Sequence, residues 1–400
     1  MHNRSLVGTL SQVTVASALA IPEPNQWRRR NRARHHEKNP SCYRYRRNRE
    51  FNSSTGLCSL RDLRKNMKKR NTLLSALLAA MSVVLLNGQS AESQQKAVSG
   101  TVQVHLVITD AALRADKELP PLQKEDVKVK QGKNFLQVTQ LIPAQGDNAA
   151  LQLMILIDDT LNTSVGNNLE DIKDFIKAQP PSALIGVGYM SNAAVNVAQN
   201  FSADHDLAVK AVRLPRGNVS TMDSPYLSLI SLVKGWPQQN VRREVLMVTD
   251  GIDRLRGEKP QPSRLGPNFG PVYHSMPTIS TDATSASEIS QRYNVLVSSI
   301  YAVGVGRAGR SSWDLQLGLS GLTKIADETG GECFSLGTSQ PVSFKPYLES
   351  LQKLLNNQYY VVFLAVPKNK AGLQPVKVQT ELSNSEIYYP DNVWVAAAGK

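Results

Sequence analysis

Three short stretches of oxygen-bearing side chains carry the chemistry that this sequence offers. Asp158-Asp159-Thr160-Leu161-Asn162-Thr163 follows one apolar run, Thr249-Asp250-Gly251-Ile252-Asp253 follows another, and Gly217-Asn218-Val219-Ser220-Thr221 precedes a helical pattern. Carboxylates and hydroxyls at the carboxyl ends of buried strands sit where open α/β sheets receive ligands. Gathered at one sheet edge, they could hold a hard divalent cation, and Mg²⁺ accepts a few carboxylates completed by hydroxyls and waters in an octahedron. A plainer use competes with this one: Asp158 and Asp250 can cap helices and tie loops together by hydrogen bonds. Asp253 reads as a solvated loop residue. Asp159 is an additional carboxylate, but consecutive residues at a strand end point to opposite faces.

Other chemistry is thinly represented. Gly304-Val305-Gly306-Arg307-Ala308-Gly309 fits G-x-G-x-x-G after an apolar run. A dinucleotide fingerprint opens the first βαβ unit, however, and this one comes late. A nucleotide-binding enzyme built on this loop is therefore the minor alternative. There is no G-x-S-x-G elbow, and His105, His205 and His274 are scattered. His205, between Asp204 and Asp206, reads as a solvated helix start. Cys333 stands alone in the body of the chain, where a buried inert thiol is the ordinary reading. Cys42 and Cys58 lie far upstream, and no zinc-type spacing exists. Tyr359, Tyr360, Tyr388 and Tyr389 read as fillers of strand faces.

The elements that would position these residues follow from periodicity. Residues 102–108, 126–130 and 135–142 read as strands of a small β module. From about residue 150 strands alternate with helices. Apolar runs at 151–157, 183–190, 194–201, 244–249 and 295–305 read as strands, with a short one at 332–336. Residues 169–176, 203–214, 224–236, 315–329 and 344–357 read as helices. This alternation implies an α/β fold, doubly wound around a mainly parallel sheet. Strands return at 359–366, 374–382 and 387–395. The stretch 251–284, rich in Pro and Gly, is the one long irregular segment, and loops of that length are usually functional or disordered.

The formal net charge of +13 is confined to one end. Of 46 lysines and arginines, 17 lie in residues 1–70 against four of the 33 carboxylates, so the remaining 330 residues carry 29 of each. The body therefore lacks the basic face of a nucleic-acid-binding domain. Met67-Lys68-Lys69-Arg70, the apolar run 71–86 and the small residues that follow have the form of a secretory signal peptide over 67–91. The run is shorter than a membrane-spanning helix requires. Export to the periplasm or beyond, with no stable membrane span after cleavage, is the expectation. Residues 1–66 read as an unfolded extension preceding a start at Met67.

In order and spacing, these motifs resemble a von Willebrand factor A (VWA) domain, and more closely the VWFA-related family of Acidobacteria. Val107-Ile108-Thr109-Asp110 with Leu122-Gln123-Lys124-Glu125-Asp126 resembles that family's N-terminal β module. Ile325-Ala326-Asp327-Glu328-Thr329-Gly330-Gly331 resembles its late helix end, and Gln358-Tyr359-Tyr360 its C-terminal strand. The resemblance implies a metal-ion-dependent adhesion site holding Mg²⁺ or Mn²⁺ through Asp158, Thr160, Asn162, Thr221 and Asp250. Asn162 departs from the family pattern by replacing a hydroxyl with an amide. It further implies an exported, non-enzymatic binding protein whose protein partner supplies an acidic side chain. A structural envelope protein with a decayed metal site is the alternative. The expected organisation is a β module at 98–147, an α/β domain at 149–338, and a C-terminal helix and β segment at 339–400.

Overall fold

The structure is a computed structural model that describes residues 101–113, 119–237, 239, 241–255, 278–304 and 312–398. Residues 67–91, expected to be a signal peptide, the 1–66 extension and most of the 251–284 loop lie outside the described residues.

The central sheet grows outward from its first strand. β5 (Leu151–Asp158) is buried along its whole length and pairs in parallel with β6 (Ala183–Ser191) on one side and β8 (Arg242–Thr249) on the other. Beyond β8 come β9 (Val295–Tyr301) and the short β10 (Cys333–Phe334), both parallel. Beyond β6, β7 (Ala194–Ser202) closes the edge antiparallel, joined by a tight turn at Asn192 and Ala193, both at positive φ. The order β10-β9-β8-β5-β6-β7 makes the junction between β5 and β8 the point where the winding reverses. Crevices at such points, outside the carboxyl ends of the strands, are the usual ligand positions of this architecture.

Strand alternation divides the core in two. Leu153, Ile155 and Ile157 face a layer made by α1 (Leu169–Lys177), α2 (His205–Ala211) and α6 (Lys345–Asn356). Met154 and Leu156 face α3 (Pro225–Gly235), α4 (Thr281–Arg292) and α5 (Ser312–Thr329). α1 buries Leu169, Ile172, Phe175 and Ile176 at helical spacing, with Glu170 and Asp171 in its first turn and Lys177 in its last. α3 starts at Pro225 behind Ser224, whose side chain accepts from the Leu227 N–H.

Two sequence expectations change. α4 falls where the chain read as irregular or unassigned. Its buried face is Asp282, Ala283, Ala286, Ser287, Ser290 and Gln291, too small and polar to register as an apolar stripe. The boundary at 339 also moves, because α6 packs Leu348, Leu351 and Leu355 into the core of the α/β domain.

The flanking β segments form three separate sheets around one shared core. β1 (Val102–Ala112) lies between β11 (Gln358–Ala365) and β14 (Ser385–Tyr388), and β4 (Val138–Pro143) adds to β11. β2 (Val127–Gln131) pairs with β3 (Asn134–Leu136) and with β13 (Lys377–Thr380), and β12 (Gly372–Pro375) with β15 (Asn392–Val395). Val104, Leu106, Ile108, Val361 and Phe363 of the four-stranded sheet pack in that core with Val127, Val129, Val378, Val393 and Val395 of the other two. Among the described residues no helix is long and apolar enough to cross a membrane.

A chain truncated after residue 338 loses both α6 and β11, an inner strand of the four-stranded sheet. It is expected to lack a cooperative thermal transition, and a sharp, reversible melt of that fragment would show the chain up to residue 338 to fold without them.

Candidate functional site

Asp158 ends β5 and is 3% exposed. Its Oδ1 accepts from the Thr160 N–H at 2.9 Å, and its Oδ2 accepts from the Thr249 hydroxyl at 2.6 Å. The Thr249 oxygen in turn accepts from the Gly251 N–H. The carboxyl ends of β5 and β8 are thus laced together across the point where the winding reverses.

Asp250, the next residue, is 1% exposed, and its Oδ1 accepts from the Ile252 N–H. Its Oδ2 receives Nη2 of Arg254 at 2.7 Å, in an ion pair whose side chains are 3% and 2% exposed. The Arg254 backbone N–H is held at 2.9 Å by the Asp223 carbonyl, and its Nη1 donates to the Ile252 carbonyl. Burial opposes the guanidinium charge, but the carboxylates of Asp250 and then Asp158 outweigh it and strengthen its hold on the proton.

Glycines let this pair be buried. A Cβ on Gly304 would stand 2.1 Å from Asp250 Oδ2 and 3.0 Å from Arg254 Nη2, so only bare backbone can cover the pair from the end of β9. Gly304 is the described part of the glycine-rich loop, and residues 305–309 lie outside the described residues. Gly251 turns the chain at φ +68° directly against Gly318 of α5. The buried Tyr226 hydroxyl donates to the Gly251 carbonyl at 2.6 Å and fixes that turn.

The structure therefore brings together three of the five residues expected to hold a metal: Asp158, Thr160 and Asp250. Asn162 is used otherwise: its Oδ1, the one side-chain atom able to coordinate a metal, accepts from the Ser164 N–H and caps a short 3₁₀ turn. Thr221 is exposed in the turn before α3. Its loop instead sends Asp223 inward, where the carboxylate accepts from the backbone of Asn192 and Ser220. Among the described residues no three His, Cys, Asp or Glu side chains gather as a metal site. The residues present do not fit a divalent cation in this arrangement. The Asp250 carboxylate is already neutralised by a guanidinium of the chain itself, and a dication beside Arg254 would meet a buried like charge. The buried Thr160 Oγ1 has no hydrogen-bond partner and is the one feature that still suits a metal ligand.

Sequence reasoning passed over Arg254, which sits in a loop where a lone arginine carries no signal. Asp253 also differs from its expected solvated role: it is 7% exposed and accepts from the hydroxyl of Ser280, the N-cap of α4. Asp159 points away from Asp158, as alternation requires. It holds Arg213 in a two-pronged contact at 2.8 and 3.1 Å and also accepts from the Arg216 N–H. Burial alone would push its pKa up, but the hydrogen bonds and charges of Arg213 and Arg216 more than reverse this and hold the carboxyl below its ordinary value. Cys333 has its thiol pushed up to about 11, chiefly by burial.

Burial, and then the neighbouring Asp250 charge, raise Asp158 to about 6 from its ordinary 3.8, against Arg254 and the Thr249 hydrogen bond. The folded chain then binds more protons than the unfolded chain between those two values, so this group makes stability fall as pH rises through the window. Asp158→Asn should flatten that fall. Urea midpoints at about pH 4 and about pH 7 check it, with the wild type expected to lose ground to the variant on going up. Arg254→Met leaves two buried carboxylates without their cation and should cost about 3–5 kcal/mol in a urea titration. A loss below about 1 kcal/mol would mean the pair is not buried in solution.

No protein-family model and no curated protein matches the chain. Solved structures similar to it include the SpRpn10 VWA domain, at 14% identity over 52% of this chain and 92% of that one, with a TM-score of 0.29. They also include a von Willebrand factor type A protein from Catenulispora acidiphila, at 10% identity over 72% of this chain and 76% of that one, with a TM-score of 0.34. A third is the pilus adhesin SpaC from Lactobacillus rhamnosus GG, at 9% identity over 68% of this chain and 48% of that one, with a TM-score of 0.33. The neighbours of this α/β chain thus include VWA domains, all at low identity.

Proposed function

We propose that this chain is an exported, non-enzymatic protein-interaction domain that meets its partner through the loops at the carboxyl edge of the central sheet, without a divalent cation. The observation that carries the reading is the Asp250–Arg254 pair beside Asp158, in which a fixed guanidinium supplies the positive charge a metal would bring. The same edge displays apolar surface. Leu214, Val219 and Met222 are 53%, 44% and 52% exposed within one loop, and Trp313 is 53% exposed at the start of α5. That loop is not slack, since Asp159 grips it through Arg213 and the Arg216 backbone, and Leu214 lies across Gly166. Apolar side chains held on a rigid frame, with arginine at the rim, are the usual makings of a protein-binding surface. The Thr249 hydroxyl, which donates to Asp158, is fully buried and so is not presented to an incoming substrate.

Cation-dependent binding through Asp158, Thr160 and Asp250 is the second reading, favoured by the unpartnered Thr160 hydroxyl. Thermal melts of the exported chain in EDTA, then with Mg²⁺, Mn²⁺ or Ca²⁺, separate the two. Unchanged midpoints are expected. A saturable, cation-specific rise that Asp158→Ala removes would replace the present reading with the second one. Leu214→Asp with Met222→Asp should leave the melt unchanged and abolish partner capture in EDTA.

A further inference from the structure

The opposite end of β8 carries a second buried cation whose situation is the reverse of Arg254's. Arg242 and Arg243 open this strand and face opposite sides of the sheet. Arg242 is engaged: its guanidinium donates to the carbonyls of Leu355 and Ala149 and to the Gln358 side chain at 2.7–2.9 Å. Arg243 is 6% exposed and gives one hydrogen bond, from Nη2 to the Tyr293 carbonyl. Its Nε and Nη1 have no partner. Burial lowers its hold on the proton.

Space adjoins this side chain. Cavities of about 190 Å³ and about 410 Å³ both reach Arg243, His105 and Asn294, where β1 crosses the amino edge of the central sheet. The smaller is rimmed by Arg292, whose guanidinium stacks 4.4 Å from the Trp394 ring. The larger has an apolar wall of Ile142, Val241 and Val362, and Asp147 on its exposed rim is its one carboxylate. A buried guanidinium lacking a counter-charge is costly unless something pairs with it. Among the described residues one carbonyl meets Arg243 and no carboxylate is paired with it, and the fold leaves room beside it.

We propose that Arg243 forms the floor of a binding site for a small monocarboxylate with an apolar tail. One guanidinium matches one negative charge, whereas a dianion such as phosphate would bring a second charge into a buried position. The apolar wall of the larger cavity would take the tail. A free organic acid and the terminal carboxylate of a peptide share this chemistry.

The test is a thermal melt of the full exported chain at fixed pH and ionic strength. Benzoate is the free-acid probe, and N-acetylphenylalanine beside its amide stands for a peptide terminus. A saturable rise in midpoint with one or both carboxylates, absent with benzamide and with the N-acetylphenylalanine amide, is expected, and which acid acts tells the source. Equal shifts with inorganic phosphate, or none with either acid, would overturn the proposal. Arg243→Met should abolish the shift and raise the ligand-free midpoint, because an unpaired buried charge becomes a well-sized apolar side chain. A ligand-free midpoint lowered by Arg243→Met would mean that Arg243 is already paired, and would overturn the proposal as well. Should that variant not fold, Arg243→Lys keeps the charge and removes the fork, and at least a tenfold loss of carboxylate affinity is expected of it. Unaltered affinity would refute the role of Arg243.

Discussion

Two carboxylates buried at the meeting point of β5 and β8 must be neutralised, and the loop geometry around them follows from how this is done. The chain supplies the counter-charge covalently, four residues beyond Asp250. That choice demands a tight turn, and Gly251 at φ +68° provides it while Tyr226 holds its carbonyl. It demands a lid without side chains, which Gly304 provides at the end of β9. It also demands that Asp158 be satisfied by hydrogen bonds as much as by charge, and the Thr160 N–H and Thr249 hydroxyl do this. A salt bridge so deeply buried adds little net stability, because desolvation offsets the attraction, but breaking it exposes the whole desolvation cost. Its value here is geometric: it fixes three loops to one another without an exchangeable ion.

Adjacent aspartates do opposite jobs because a strand alternates. Asp158 faces the side of α3, α4 and α5 and belongs to the buried knot. Asp159 faces the other way and organises the loop after α2 through Arg213, whose guanidinium also covers the Tyr189 ring at 3.7 Å. One acidic pair therefore couples the inner charge balance to the outer surface, and the exposed Leu214, Val219 and Met222 ride on the second half of that coupling.

The architecture was legible because its signals are long-range in pattern yet local in chemistry. β5 and β8 read as continuous apolar runs, and α1 and α6 show apolar residues at helical spacing. α4 was illegible because its buried face is made of Ala, Ser and Gln, which pack closely but carry no hydrophobic period. In the site, Asp158 and Asp250 could be found from their place at strand ends. Arg254 could not, since what matters about it is its direction, and a loop residue's direction has no period. For the same reason the roles of Asn162 and Thr221 stayed open: ligand type alone does not say whether an amide oxygen faces a metal or a neighbouring N–H.

The two ends of β8 pose one electrostatic problem and answer it differently. Arg254, near the carboxyl end, is buried against Asp250 and Asp158, and every structural feature nearby serves that pairing. Arg243, near the amino end, is buried to a similar degree with a single carbonyl for company. Packing does not explain the second case, because an apolar side chain of the same length would fill the space at lower cost. Nor does the hydrogen bond to Tyr293, which one nitrogen makes while Nε and Nη1 make none. A buried charge with two unpartnered nitrogens, on a side chain that lines open volume, is best understood as half of an interaction, whose other half arrives from outside the chain.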